Sequence, residues 1–275
     1  MTYTFKNNNV YINDCELFDL EKTFTCGQCF RFNKNEAEKW SGVVKNKEIT
    51  LWQNSKNIVL ENISREEFEK FWHNYFDLGR NYQIINNSFS ENEILHTATN
   101  YGKGIRILNQ EPWETLCSFI ISQNNNIPRI KGIIDRLCKT YGKKLSDNYS
   151  FPSADTIAKL ALTDLDVLKS GFRAKYILDA AKKVSSGEVN LSKISTLSTQ
   201  DAREELTKIY GVGEKVADCT LLFGMGHINV CPKDVWIKRA LTILFDGNFP
   251  KCAQEYAGIA QQYIFYYARE TKLNI

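Results

Sequence analysis

The sequence predicts an α+β fold, with an antiparallel β-region at the N-terminus feeding a larger, mainly helical body. Up to about residue 60, short segments rich in strand formers are separated by Asn, Lys and Gly turns. From Ser64 onward the apolar residues recur at helical spacing and are broken by Gly, Pro or Asn. A sheet followed by a run of helices is the α+β pattern. At roughly 150 residues per domain, the 275 residues suit two parts. We place the β domain with a connecting helix at 1–100 and the helical domain at 101–275.

In chain order, Phe30-Arg31-Phe32 alternates, and Trp40–Val44 and Ile49–Trp52 are compact runs of β-formers. Ser64 with Glu67 three residues later is a capping-box pattern, opening a run of Phe68, Phe71, Trp72, Tyr75 and Phe76 at helical spacing. The same period predicts helices over 113–123, 128–141, 175–185, 203–210, 214–223, 235–244 and 252–269. The chain has no repeat of fixed period and no low-complexity tract.

Composition narrows the class of protein. Apolar residues make up 43% and charged residues 24%, which excludes wholesale disorder. No apolar run approaches the roughly 20 residues that span a bilayer, so no membrane partner is expected. The start MTYTFKNNNVYI lacks the basic and apolar regions of a secretory signal. We therefore expect a cytoplasmic protein, nucleoid-associated if bacterial, whose eight cysteines are free thiols. The net charge of +3 is too balanced to indicate nucleic acid by itself. Its distribution says more. Arg129 to Lys144 carries six basic residues against Asp135 alone, and Lys169 to Lys183 carries five against Asp179 alone. These stretches read either as phosphate-facing edges or as ordinary solvated helix faces.

The most informative stretch is Leu206-Thr-Lys-Ile-Tyr-Gly211-Val-Gly213-Glu-Lys215-Val-Ala-Asp-Cys219. One helix ends at a Gly-x-Gly turn and the next opens at once, a helix-hairpin-helix over about 203–223. The new helix offers free N–H groups and a positive dipole end, suited to a DNA phosphate. A plain structural turn is the competing reading. Lys215 lies in the first turn, where the dipole disfavours an ammonium and favours the free amine a nucleophile needs. From its chemistry alone it reads rather as a solvent-facing or phosphate-contacting lysine, paired with Asp218 at i+3. Cys219 falls on the same face at i+4. Asp234, nineteen residues beyond Lys215, is placed to cap the helix beginning at Val235. A carboxylate there would also stabilise positive charge developing at a sugar carbon.

Gly211-Val-Gly-Glu-Lys215-Val-Ala-Asp-Cys219 followed by Pro232-Lys-Asp234-Val resembles the helix-hairpin-helix, Gly/Pro-Asp superfamily of DNA glycosylases. More narrowly, the chain resembles the 8-oxoguanine DNA glycosylase/AP lyases of the eukaryotic type. Cys26-Gly27-Gln28-Cys29-Phe30-Arg31-Phe32, Trp40-Ser-Gly-Val43, Glu111-Pro-Trp-Glu114, Ser122-Gln-Asn-Asn-Asn-Ile127, Gly171-Phe-Arg-Ala-Lys-Tyr176 and Tyr256-Ala-Gly-Ile-Ala-Gln261 follow in the family's order. The resemblance spans about residues 16–268.

The resemblance implies a bifunctional enzyme that flips 8-oxoguanine, opposite cytosine, out of double-stranded DNA. Lys215 would attack the sugar C1′, form a Schiff base and cleave the strand by β-elimination, and Asp234 would steady the oxocarbenium-like transition state. A carbonyl at Gly27 would accept from the lesion's N7–H, where guanine presents a lone pair. One such bond is worth about 1–3 kcal/mol, or roughly 5- to 150-fold. Gln261 would read the Watson–Crick edge, and Phe265 and Cys219 would sandwich the base. Asn124 would fill the gap, Arg129 and Arg173 would reach the orphan cytosine, and Phe172 would wedge the stack. Gly211, Gly213 and Trp236 would face the backbone. Eukaryotic members carry Tyr at the position of Phe172 and His at that of Trp236, so this chain lacks a hydroxyl and an imidazole there.

No cofactor is expected. The cluster-bearing relatives need four clustered cysteines near the C-terminus, and only Cys219, Cys231 and Cys252 lie beyond residue 200. Cys26-x-x-Cys29 has no second Cys/His pair, and His73, His96 and His227 show no metal-ligand spacing. Gly102-x-Gly104 lacks a Walker lysine. The alternatives that stay open are a non-catalytic DNA-binding module, the same chemistry on another lesion, and weak lyase action with mainly base hydrolysis. A monomer is expected, because one chain supplies every element of the site.

Overall fold

The structure, a computed structural model, describes residues 1–272. One antiparallel sheet holds β1 (Thr2–Lys6), β2 (Asn9–Asn13), β3 (Phe32–Lys34), β4 (Trp40–Val44), β5 (Lys47–Gln53) and β6 (Asn57–Glu61). Their order across the sheet is β1-β2-β6-β5-β4-β3. Asn7 and Asn8, both at positive φ, turn β1 into β2, because two left-handed residues match the twist of the flanking strands. Ile12 faces Ile58, Leu51 faces Leu60 and Trp40 faces Leu51 across the ladders.

The inward side chains of this sheet join Phe18, Phe24, Phe32, Phe68, Trp72, Tyr75 and Phe76 in one core. The aromatic run after Ser64 thus closes over the sheet. Ser64 caps it by accepting from the Glu67 N–H at 3.1 Å. The Glu67 carboxylate does not return the bond; it accepts from Lys47 and from the Trp72 indole. The run contains a widened π turn over Phe68–Trp72.

A second core contains the remaining helices. It includes Tyr82, Ile85, Phe89, Leu95 and Ala98 from the helices Tyr82–Ser88 and Glu93–Tyr101, and its centre is the Pro112–Ser122 helix. Arg106 joins the two parts: its buried guanidinium donates to the carbonyls of Leu17, Phe76, Asp77 and Arg80 and lies 4.1 Å from the Tyr82 ring. Glu48 on β5 adds a second tie by accepting from the N–H groups of Ser146, Asp147 and Asn148.

The fold is the α+β arrangement that the sequence predicts, with local differences. Leu20–Thr25 is a helix inside the β-region, capped by Asp19. Only Phe32 of the alternating Phe30-Arg31-Phe32 is in a strand. The first hairpin helix begins at Thr199 rather than Arg203, because Ser198 caps it. The last predicted helix is split into a 3₁₀ turn at Lys251–Ala253 and a helix at Ala257–Glu270. All eight cysteines are unpaired thiols, and among the described residues no helix is long and apolar enough to cross a membrane.

Candidate active site

The hairpin pairs Thr199–Thr207 with Glu214–Met225. Its two glycines have different reasons to be there. Gly211 has φ 80°, and a Cβ there would lie 2.4 Å from the Tyr176 ring. Gly213 has extended backbone at the helix N-cap, with open space where a Cβ would project. The helix it opens is buried along Val216, Ala217, Cys219 and Thr220, which leaves Lys215 half-buried at the edge. Asp218 is not the lysine's partner. Its carboxylate takes the Arg203 guanidinium at 2.7 Å, and among the described residues Lys215 has no carboxylate within ion-pair distance. The Lys215 amine instead meets the Ser122 hydroxyl at 3.3 Å and lies 5.0 Å from the Phe119 ring centroid. Ser122 ends the Pro112–Ser122 helix, so two helix ends of opposite sign act on this amine.

Asp234 caps the Val235–Phe245 helix, accepting from the Ile237 N–H at 2.8 Å. Cys219 feels both charged groups. Burial pushes its thiol up to about 11, the Lys215 charge and hydrogen bond draw it down, and the Asp234 charge pushes it up. The three side chains therefore share one electrostatic neighbourhood, with a neutral thiol in it at neutral pH. Trp236, in the first turn after Asp234, is 42% exposed.

Gly27 sits at φ 82° in the loop after the Leu20–Thr25 helix, 3.7 Å from the Phe265 ring measured from an added Cβ. Phe265 and Gln261 are on the Ala257–Glu270 helix. Gly258 sets this helix against the hairpin: a Cβ there would lie 2.2 Å from Leu222 and 3.0 Å from the Val230 carbonyl. One turn away on each helix, Gln261 and Cys219 are both buried. The Gln261 side-chain oxygen, Oε1, accepts from Gln262 Nε2 at 2.9 Å.

Asn124, at φ 51°, projects from the exposed loop after the Pro112–Ser122 helix. Arg173 holds that loop. Only 3% exposed, its guanidinium donates to the carbonyls of Gln123, Asn124 and Ser170 and stacks 4.3 Å from the Phe172 ring. Its pKa is lowered, first by burial and then by the neighbouring Arg129 charge, so the two arginines are close. Phe172 is 48% exposed, the projecting member of the group. A cleft of about 560 Å³ lined by Trp113, Glu114, Phe151 and Leu191 shares no residue with these groups.

Phe119 and Ser122 around the amine, Arg106 between the two cores, and Gln110 carry no local mark in the sequence, and Gln28 stands out only within Cys26-Gly27-Gln28-Cys29. Their contacts come from distant segments.

The model described as "8-oxoguanine DNA glycosylase, N-terminal domain" matches residues 10–116, and that of the "HhH-GPD superfamily base excision DNA repair protein" matches residues 117–253. An N-glycosylase/DNA lyase of Saccharomyces cerevisiae is 39% identical over 153 residues, which is 50% of this chain but 41% of the yeast protein's own length. A probable N-glycosylase/DNA lyase of Methanothermobacter thermautotrophicus is 28% identical, covering 76% of each chain. The Clostridium acetobutylicum 8-oxoguanine glycosylase/lyase, solved with double-stranded DNA containing cytosine opposite 8-oxoguanine, superposes with a TM-score of 0.93. It is 37% identical and covers 99% of both chains.

Proposed function

The chain belongs to the helix-hairpin-helix, Gly/Pro-Asp superfamily of base excision DNA repair proteins, and on that premise we propose that it excises 8-oxoguanine from duplex DNA and then cleaves the strand. The observation that carries this reading is the chain-long likeness to a bacterial 8-oxoguanine glycosylase/lyase. The Lys215 amine, with no carboxylate within ion-pair distance among the described residues and sharing with Asp234 the electrostatic surroundings of Cys219, supports it chemically.

Lys215 is the nucleophile. Its nitrogen forms a bond to C1′ as the glycosidic bond breaks, the bond's electron pair leaves with the base, and the base nitrogen takes a proton. Ring opening gives the Schiff base; loss of a C2′ proton then expels the 3′ phosphate. Asp234, fixed by its capping bond, stabilises the positive charge that develops at C1′. Gly27, Gln261, Phe265 and Cys219 form the base site, with the Gly27 carbonyl accepting from N7–H. Gly211, Gly213 and Trp236 meet the backbone. Asn124, Arg129, Phe172 and Arg173 occupy the gap opposite, which suits an orphan cytosine. For Arg173 such a contact draws on a guanidinium most of whose N–H groups donate to loop carbonyls. The working unit is a monomer, with the β part at 1–100 and the helical part at 101–275.

Borohydride trapping on a duplex with one 8-oxoguanine opposite cytosine tests the reading, with Lys215→Gln and undamaged DNA as controls. The expected result is a covalent adduct formed only on damaged DNA and lost in the variant. Folded protein that binds DNA yet neither traps nor releases base would sink the enzyme reading in favour of a binding module.

A further inference from the structure

The Gly27 carbonyl can discriminate a lesion only if it is held in fixed register with the helix that carries Lys215, and those two elements are far apart in sequence. A continuous path of hydrogen bonds and one ring contact joins them, buried except at the half-buried Gln110. Gln28, next to Gly27, is 1% exposed and its side-chain amide is hydrogen-bonded at both ends. The Nε2 group donates to the Arg106 carbonyl at 2.7 Å and to the Thr23 carbonyl at 3.0 Å, with Cys26 Sγ at 3.3 Å. Oε1 accepts from the Leu108 N–H at 2.9 Å. The Gln28 main-chain carbonyl accepts from Gln110 Nε2 at 2.7 Å, and the Gln110 N–H donates to the Phe223 carbonyl at 2.8 Å. Phe223 belongs to the Glu214–Met225 helix and stacks on Phe119, centroids 5.4 Å apart. Phe119 is the ring beneath the Lys215 amine.

We propose that Gln28 and Gln110 are positioning residues that lock the Gly27 carbonyl in register with the Lys215 helix, so that base excision depends on them through Gly27. The proposal rests on the functional reading above. Two features set this strut apart from ordinary core packing. It runs through directed hydrogen bonds, and its middle link is a side chain, Gln110, that bonds to the main chain of the reading loop on one side while its own main chain bonds to the catalytic helix. Removing the Gln110 amide leaves the Gln28 carbonyl short of a donor and cuts the loop's tie to the Lys215 helix, while the Gln28 side-chain bonds and the hydrophobic core remain.

Two single-turnover reactions separate positioning from general damage. Excision of 8-oxoguanine opposite cytosine needs the base reader, whereas cleavage at a preformed abasic site, opposite the same cytosine, does not. In Gln110→Met, excision is expected to slow roughly tenfold, the loss that follows from one part-buried hydrogen bond whose acceptor is left unpaired, with abasic cleavage within about twofold of wild type. Gln110→Lys, which keeps a donor of similar reach, is expected to recover most of the excision rate. Gln28→Met carries the same expectation from the other side of the bond; should it fail to fold, Gln110→Met decides alone. Unchanged excision in Gln110→Met, or excision and abasic cleavage falling together, overturns the proposal while leaving the functional reading intact. A wild-type protein that excises no 8-oxoguanine overturns the functional reading and the proposal with it.

Discussion

Replacing Gly211 and Gly213 separately by alanine divides what the hairpin turn needs for folding from what it needs for DNA. At Gly211 the residue is held at φ 80°, a left-handed conformation costing an L-residue about 1–2 kcal/mol. The new methyl would also lie 2.4 Å from the Tyr176 ring. That ring cannot simply step aside, because Tyr210 packs edge-on at 5.0 Å and Phe172 at 5.6 Å. Overpacking of this kind adds roughly 1–3 kcal/mol, so Gly211→Ala should cost about 2–5 kcal/mol. At about 2.1 cal/mol/K per residue, unfolding 275 residues carries an entropy near 0.6 kcal/mol/K, and the melting temperature should fall by about 3–9 °C. At Gly213, φ is −96° and nothing lies within 4 Å of an added Cβ. Alanine there loses only some N-cap preference, about 0.5 kcal/mol or roughly 1 °C. Its methyl instead intrudes where a phosphate would approach, so affinity for undamaged and damaged duplex should drop together. Thermal unfolding by circular dichroism and fluorescence anisotropy on both duplexes measure the pair. A Gly211→Ala protein that melts with wild type, or a Gly213→Ala protein that loses as much stability, would refute the distinction.

Phe172→Ala removes a half-exposed ring, so stability should change by less than about 0.5 kcal/mol. Affinity for a lesion-bearing duplex should fall about tenfold, within the range of lost base–aromatic stacking; equal affinities by anisotropy would remove Phe172 from the interface. Iodoacetamide at pH 8 should leave Cys219 unmodified in the folded protein, because burial raises its thiol to about 11; mass-spectrometric labelling of Cys219 at a rate typical of an exposed thiol would contradict that. Burial raises the Glu114 carboxyl from 4.5 to about 7 against the opposing pull of Arg31, whose guanidinium lies 3.3 Å away. The folded state therefore holds this proton more tightly than the unfolded chain. The stability it contributes is complete below about pH 4.5 and is lost as pH rises to about 7, by at most about 3 kcal/mol. Glu114→Gln should flatten the fall in melting temperature between pH 5 and 7.5, and an undiminished fall would place the titration elsewhere.

How far the site is legible in the sequence follows from how local each signal is. Asp234 caps its helix and Ser64 caps the aromatic run because a cap is a contact over three residues. Misreadings arise where a distant partner replaces the local one. Phe30-Arg31-Phe32 alternates like a strand, yet the chain reaches β3 only at Phe32. Before it, the loop's polar needs are met by Gln28 bonding to the 106–108 segment, roughly eighty residues away, instead of by a neighbouring strand. Lys215 shows the same limit at the chemical centre. Its own helix supplies the positive dipole end that the sequence reveals. The Ser122 hydroxyl and Phe119 ring come from a helix some ninety residues earlier, which presents its negative end. Arg173 carries the point furthest. Helical spacing and a basic neighbourhood suggest a surface cation, but depth is not encoded in period. The guanidinium is buried because Gln123, Asn124 and Ser170 present carbonyls whose bonding needs it meets. That arginine shapes the loop bearing Asn124. A contact it makes with an orphan base draws on the same guanidinium that holds this loop, which would couple gap filling by Asn124 to recognition of the base opposite.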